Sequence, residues 1–209
     1  MPSDKYVFLF DQSQNTKVLE EYRGNDGFNS MLRWDDARIN ALSMRVGSHS
    51  EPEFKQAVNN GEGSVGAYAW HFAPTHMQNL FFHTQLPHTY SPDTELRPHV
   101  HFSPTTTGTG TIRWGLEYAI ASVNDPFPNT QIIWAEHTVQ AGDEMKHLVL
   151  SLPVIDGLGI TESAMIVGRV IRMGPDDTYT EESILWELDF HFQVEKDGTA
   201  FEFGEEEIW

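Results

Sequence analysis

"LRPHVHFSPTTTGTGTIRWGLEY", Leu96 to Tyr118, decides the fold class. Apolar and polar residues alternate on both sides of a threonine- and glycine-rich centre. In the first run Leu96, Pro98, Val100 and Phe102 share one face, and Arg97, His99, His101 and Ser103 share the other. In the second, Ile112, Trp114, Leu116, Tyr118 and Ile120 oppose Thr111, Arg113, Gly115, Glu117 and Ala119. A period of two is the signature of a half-buried strand, because successive side chains point to opposite faces. The intervening "SPTTTGTG" has the glycine content of a hairpin loop and predicts that the two strands are hairpin neighbours.

The same period recurs at 183–194. There Ile184, Trp186, Leu188, Phe190, Phe192 and Val194 oppose Ser183, Glu187, Asp189, His191 and Gln193, with Leu185 an apolar exception on the polar side. Weaker alternation predicts strands at 65–72, 79–86, 131–138, 145–152 and 164–173. "NDPFPN", "PVIDGLG" and "MGPDD" supply turn chemistry between them. About eight strands without a long helical pattern predict an all-β protein, an antiparallel β-sandwich of jelly-roll-like topology. Patterning alone leaves an immunoglobulin-like topology open.

The polar, weakly patterned start reads as an extended N-terminal arm over residues 1–40, with at most one short strand. The sandwich then spans 41–200, and "FEFGEEEIW" closes the chain as an acidic tail over 201–209. A length of 209 residues suits one such domain. The start of the chain lacks the basic and small-residue flanks of a signal peptide. No apolar run approaches the roughly 18 residues of a membrane span.

Composition removes several functions. The chain has no cysteine, so disulfides, zinc–thiolate sites, iron–sulfur clusters and a cysteine nucleophile are out. Thirteen basic against 31 acidic residues give a formal charge of −18, which disfavours direct nucleic-acid binding.

His99 and His101 project side by side, and so do Asp189 and His191. Together they offer three imidazoles and a carboxylate, a set suited to zinc, iron or manganese. A cupin-like metalloenzyme would also place a Glu soon after the histidine pair, and "FSPTTTGTGT" contains no acid. The histidines also point away from the apolar face. The expectation is therefore no metal and no cofactor, with this face polar or a subunit contact. No Gly-x-Ser-x-Gly elbow and no phosphate-cradling loop before a helix is present. The acid pairs Asp35–Asp36, Asp176–Asp177 and Glu181–Glu182 read as solvated. The chain does not read as an enzyme.

Arginines inside strands are notable where cations are scarce. Arg97 or Arg113 is expected to pair with acids such as Glu117, Glu187 or Asp189, within a sheet or across a subunit contact. Trp34 and Trp209 lie outside the strand pattern and read as interface anchors. Trp70, Trp114 and Trp186 lie on apolar faces and read as core.

"RWDDARINALSMRVGS" (33–48), "QLPHTY" (85–90), the 96–118 stretch and "LWELDFHFQVEKDG" (185–198) resemble, in that order, a family of tailed-bacteriophage virion structural proteins. The resemblance covers most of residues 33 to 198. It implies a virion component made in the host cytoplasm, and a capsid decoration (cement) protein is the first expectation. Such a protein would be a homotrimer bound to the major capsid protein or other virion proteins, with no membrane partner. The interface candidates are then Trp34, Arg97, His99, His101, Arg113, Glu117, Glu187, Asp189, His191 and Trp209. The alternative is a head, neck or tail fibre component that binds carbohydrate, with six Trp and six Tyr as a source of stacking platforms.

Overall fold

The computed structural model describes residues 33–48 and 50–194. Trp209 and the acidic tail lie outside the described residues, as do residues 1–32 of the arm.

Among the described residues, ten strands form two antiparallel sheets that pack as a jelly-roll-like sandwich. They are β1 (Arg33–Asn40), β2 (Glu53–Val58), β3 (Ala67–Phe72), β4 (Gln78–Gln85) and β5 (Leu96–Pro104), followed by β6 (Gly110–Ala121), β7 (Gln131–Val139), β8 (Leu148–Ser151), β9 (Met165–Arg172) and β10 (Ser183–Val194). One sheet has the order β2-β3-β10-β5-β8, with β1 also paired to β10. The other has the order β4-β9-β6-β7. From β3 onward the chain alternates repeatedly between the sheets, so most connections are crossings rather than hairpins.

The sheets meet through the faces that the alternation predicts. Phe72 and Phe102 of the first sheet pack on Trp114 of the second, with ring centroids 5.1 and 5.9 Å apart. Phe190 packs on Phe82 at 6.1 Å. Leu96, Val100, Leu188, Ile112, Leu116, Ile166 and Val170 fill the same core, all with negligible exposure. Burial on this scale is the main force holding such a sandwich.

Three expectations change. First, β5 and β6 are not hairpin neighbours. They lie in different sheets, and residues 105–109 carry the chain across the roughly 10 Å between layers. Second, residues 33–40 belong to the sandwich. Ala37 and Ile39 of β1 reach the core, and Trp34, Asp36 and Arg38 lie on the outer face. The rest of the arm falls on residues the structure does not describe. Third, Asp177 is not solvated. Its carboxylate and the Arg172 guanidinium are both fully buried, 2.7 Å apart. Arg172 also donates to the carbonyls of Phe72 and Tyr179 and to the Ser183 hydroxyl, and Asp177 accepts from the Arg113 backbone N–H. This cluster ties the 173–182 loop to both sheets. The loop's turn needs Gly174, whose φ is +65° and where a Cβ would lie 2.2 Å from the His76 carbonyl oxygen.

Candidate functional site

The site forms on the outer face of the first sheet, where β10 changes phase. Register runs Leu185 opposite Phe102, then Glu187 opposite His101, so Trp186 is an extra residue. This is a β-bulge, two residues facing one, and it re-aims the side chain that it expels. The bulge explains the Leu185 exception: Leu185 faces the core before it, and Leu188, Phe190 and Phe192 face the core after it. It also corrects the reading of Trp186. That indole is half-buried at the surface, and its Nε1–H donates to Ser103 Oγ at 2.7 Å.

On this side of β10, β3 pairs with Ser183, Ile184 and Leu185. Farther along, β1 side chains take over. Arg38 Nε meets Glu187 Oε1 at 2.9 Å, and Asp36 Oδ1 meets His191 Nδ1 at 2.6 Å. Between β3 and β1 an open groove of about 480 Å³ remains. Trp186 supplies its aromatic surface on the outer face, Leu42, Ala67 and Ala69 add apolar surface, and Tyr68 lines it at the edge of β3. Arg38, Asn40, Glu187, His101 and His147 supply polar groups. Tyr68 is 42% exposed and is backed by Phe54, ring centroids 5.6 Å apart, which in turn packs on Trp70 at 5.1 Å. Trp70 is thus only partly buried, unlike Trp114.

Beside the groove lies a histidine–carboxylate cluster. His99 of β5 is in register with Asp189 of β10, and His101 is one step along the same face. Asp189 Oδ1 lies 3.0 Å from His99 Nδ1, and Oδ2 lies 2.8 Å from His101 Nε2. The second ring nitrogen of His101 lies 2.8 Å from His147 Nε2. Asp189 is 3% exposed although it sits on the outer face, because the imidazoles cover it. Its hydrogen bond holds His101 above the ordinary imidazole value, against the opposing effect of burial. Next along the face, Trp34 stacks on His191 with centroids 4.9 Å apart and planes 3° from parallel, and the Arg97 guanidinium lies 4.4 Å over the Trp34 ring.

Of the residues singled out from sequence, Trp34, Arg97, His99, His101, Glu187, Asp189 and His191 meet on this face. Arg113 and Glu117 do not. They lie on the outer face of the other sheet, where Glu117 pairs with Arg169 at 2.6 Å and Arg113 lies over Trp134 and 3.4 Å from Asp176. A Cβ at Gly115 would lie 2.4 Å from the Trp134 ring, so glycine admits that indole. A strand arginine does meet acids within its sheet, but with partners other than those named: Arg113 also lies 3.9 Å from Glu136, its register partner on β7. Arg97 pairs with Glu95, two residues before it, and Arg38, not a β5 or β6 arginine, meets Glu187. Arg38, Tyr68, His147 and Trp186 were not legible as site residues. Trp186 needed knowledge of the bulge, and the other three lie in segments whose packing the sequence pattern does not fix.

No family model and no curated protein matches the chain. Among solved structures it is similar to the CBM22-1–GH10 modules of a Clostridium thermocellum xylanase, at 13% identity and a TM-score of 0.37, covering 76% of this chain and 28% of that one. It is also similar to the CBM36-1 domain of a xylanase from the hindgut metagenome of Trinervitermes trinervoides, at 8% identity and 0.40, covering 75% and 96%. A CBM35 from Cellvibrio japonicus gives 8% and 0.37, covering 81% and 100%. The chain thus spans little more than a quarter of the first of these. Likeness this faint says nothing of what the chain binds. Among the described residues no helix is long and apolar enough to cross a membrane.

Proposed function

We propose that this chain is a carbohydrate-binding β-sandwich, a module that holds a neutral oligosaccharide in the groove beside the β10 bulge. The groove itself carries the reading. Sugars present apolar C–H faces and a rim of hydroxyls, and an open channel with aromatic surface and a few fixed polar groups matches both. Trp186 supplies the aromatic surface, with Tyr68 lining the groove at the edge of β3. Arg38, Glu187 and Asn40 supply donors and acceptors. The −18 charge disfavours a polyanionic ligand and leaves a neutral glycan as the fitting class.

Binding without hydrolysis is part of the proposal. Glycoside hydrolysis commonly uses two carboxylates about 5–9.5 Å apart. Among the described residues lining the groove Glu187 is the single acid, and Arg38 holds it in an ion pair. For the biological setting we take the sequence resemblance: a head, neck or tail fibre component of a tailed-phage virion. The groove favours this over shell decoration, because a recessed amphiphilic channel has no evident use in a flat cement interface.

The test is titration calorimetry against a panel of neutral oligosaccharides with wild type, Tyr68→Ala and Arg38→Ala. The expected result is binding by wild type and at least a tenfold loss in each variant, with unchanged melting temperatures. Tyr68 and Arg38 are surface residues, so stability should hold. Wild-type binding that neither variant alters would move the site elsewhere, and no binding across the panel would remove the reading.

A further inference from the structure

We propose that His99, His101 and Asp189 form a binding site for one divalent transition-metal ion of the zinc, cobalt and nickel class. This reverses the expectation from sequence and does not depend on the groove's ligand. The sequence argument against a metal looked for an acid following the histidine pair along β5. The structure supplies the acid from across the sheet: Asp189 stands opposite His99 on β10.

Three observations carry the site. The first is geometry. One donor atom from each of the three residues lies within 4.8 Å of the others. Tetrahedral zinc with bonds of about 2.0–2.1 Å needs donors about 3.3 Å apart. His99 and His101 each stand within 3.0 Å of a different oxygen of Asp189, and donors no more than 4.8 Å apart reach that spacing by side-chain rotation of the imidazoles and the carboxylate, which draws the widest pair in by up to about 1.5 Å. The second is rigidity. All three residues project from the central pair of strands, whose register is continuous from Glu187 to Phe192, so no loop must close to form the site. The third is the state of Asp189. It is a nearly buried carboxylate whose two oxygens are each directed at an imidazole nitrogen. A cation among these atoms would replace the two hydrogen bonds with a direct bond to each group.

A further contact fits a ligand role for His101. With Nε2 bound to metal, the proton resides on Nδ1, which donates to His147 Nε2 at 2.8 Å. Metal-binding histidines are commonly oriented in this way by a partner on the second nitrogen. Nitrogen and oxygen donors without thiolate suit borderline ions rather than copper(I) or cadmium. The partly exposed imidazoles leave the remaining coordination positions open to water.

The test uses full-length protein stripped with a chelator and then titrated with zinc and with cobalt(II), followed by calorimetry and by cobalt visible absorption. One ion per chain is expected, together with a cobalt d–d spectrum and a higher melting temperature. His99→Gln and His101→Gln, both at partly exposed positions, should each weaken binding at least a hundredfold. His147→Ala should weaken it about 10–100-fold. His83→Ala, at an exposed position of β4 in the other sheet, should bind as wild type. Failure of wild type to bind either ion at 1 mM or below overturns the proposal. So does binding that survives the His99 and His101 changes together. Melting curves on every variant show that loss of binding is not loss of fold. Because no sugar is present, the outcome is independent of the glycan reading.

Discussion

At the scale of single residues, the buried ion pair and one buried histidine make sharp tests. Arg172 and Asp177 are desolvated together, and removing one partner strands the other charge inside the protein. Arg172→Met should therefore cost about 3–5 kcal/mol, read as a lower urea midpoint. Often a buried pair can be replaced whole by apolar residues at little cost. Here Arg172→Met with Asp177→Leu should recover only in part, because Arg172 also satisfies two carbonyls and a hydroxyl. Full recovery would mean that those bonds contribute nothing. His71 sets a pH dependence. Burial first, and Lys55 second, push its imidazole below the ordinary 6.5, against the attraction of Glu182. The folded state thus resists protonation. Stability from the neutral ring is present above about pH 6.5 and is lost as pH falls from there through the depressed folded-state value. In thermal melts from pH 8 to 5, His71→Gln should lose less stability on acidification than wild type does. Parallel curves would show that His71 does not titrate differently in the two states. Neither residue's role was legible from sequence: an Arg at a strand end and an Asp in a turn-rich loop carry no pattern that announces mutual burial.

Legibility was uneven among the elements, for a physical reason. β5, β6 and β10 each bury one face over nine to twelve residues, so their alternation is long, and in β10 it survives the phase change at the bulge. β2 has no buried residue, and β1 buries only Ala37 and Ile39 between charged or polar neighbours, so neither leaves much apolar signal. Strand pairing was less visible than strand existence. The Thr/Gly loop after β5 has hairpin composition yet crosses between sheets, because local turn chemistry does not record which strand becomes the neighbour. The bulge is the most consequential hidden element, and it has a test of its own. Leu185 and Glu187 already oppose consecutive β5 residues, so deleting Trp186 restores a regular ladder without turning any side chain to the other face. The deletion should give a folded sheet by circular dichroism, less stable by about 1–3 kcal/mol for the lost half-buried indole. Glycan binding should vanish, while zinc binding should persist because His99, His101 and Asp189 keep their register. A deletion variant that fails to fold would show that the bulge is a requirement of the sandwich rather than a device for shaping the groove.

At the scale of the whole molecule, the N-terminal boundary governs how the sandwich and its working face hold together. The arm read from sequence ends at residue 40, but β1 occupies its last eight residues and contributes on both faces of the first sheet. Inward, Ile39 and Ala37 join the core. Outward, Asp36 and Arg38 fix His191 and Glu187, and Trp34 stacks between His191 and Arg97. Two truncations should therefore behave differently. Removing residues 1–32 leaves every described strand and should preserve a cooperative melt close to that of the full chain. Removing residues 1–40 strips β1 from β10, exposing backbone N–H and C=O groups along a length of strand and opening the core beside Ile39. Loss of the Ile39 side chain alone is of the kind that costs about 2–5 kcal/mol in a core, and an unprotected strand edge invites association with other chains. The shorter protein should melt well below the longer one or aggregate, as seen by scanning calorimetry and sedimentation velocity. It should lose the groove with Arg38 and Asn40. The same sedimentation runs on the full chain read its mass, for which the virion resemblance implies a trimer. Equal stability of the two truncations would mean that β1 lies on the sheet without supporting it, and that the sandwich begins where the sequence pattern placed it, after residue 40.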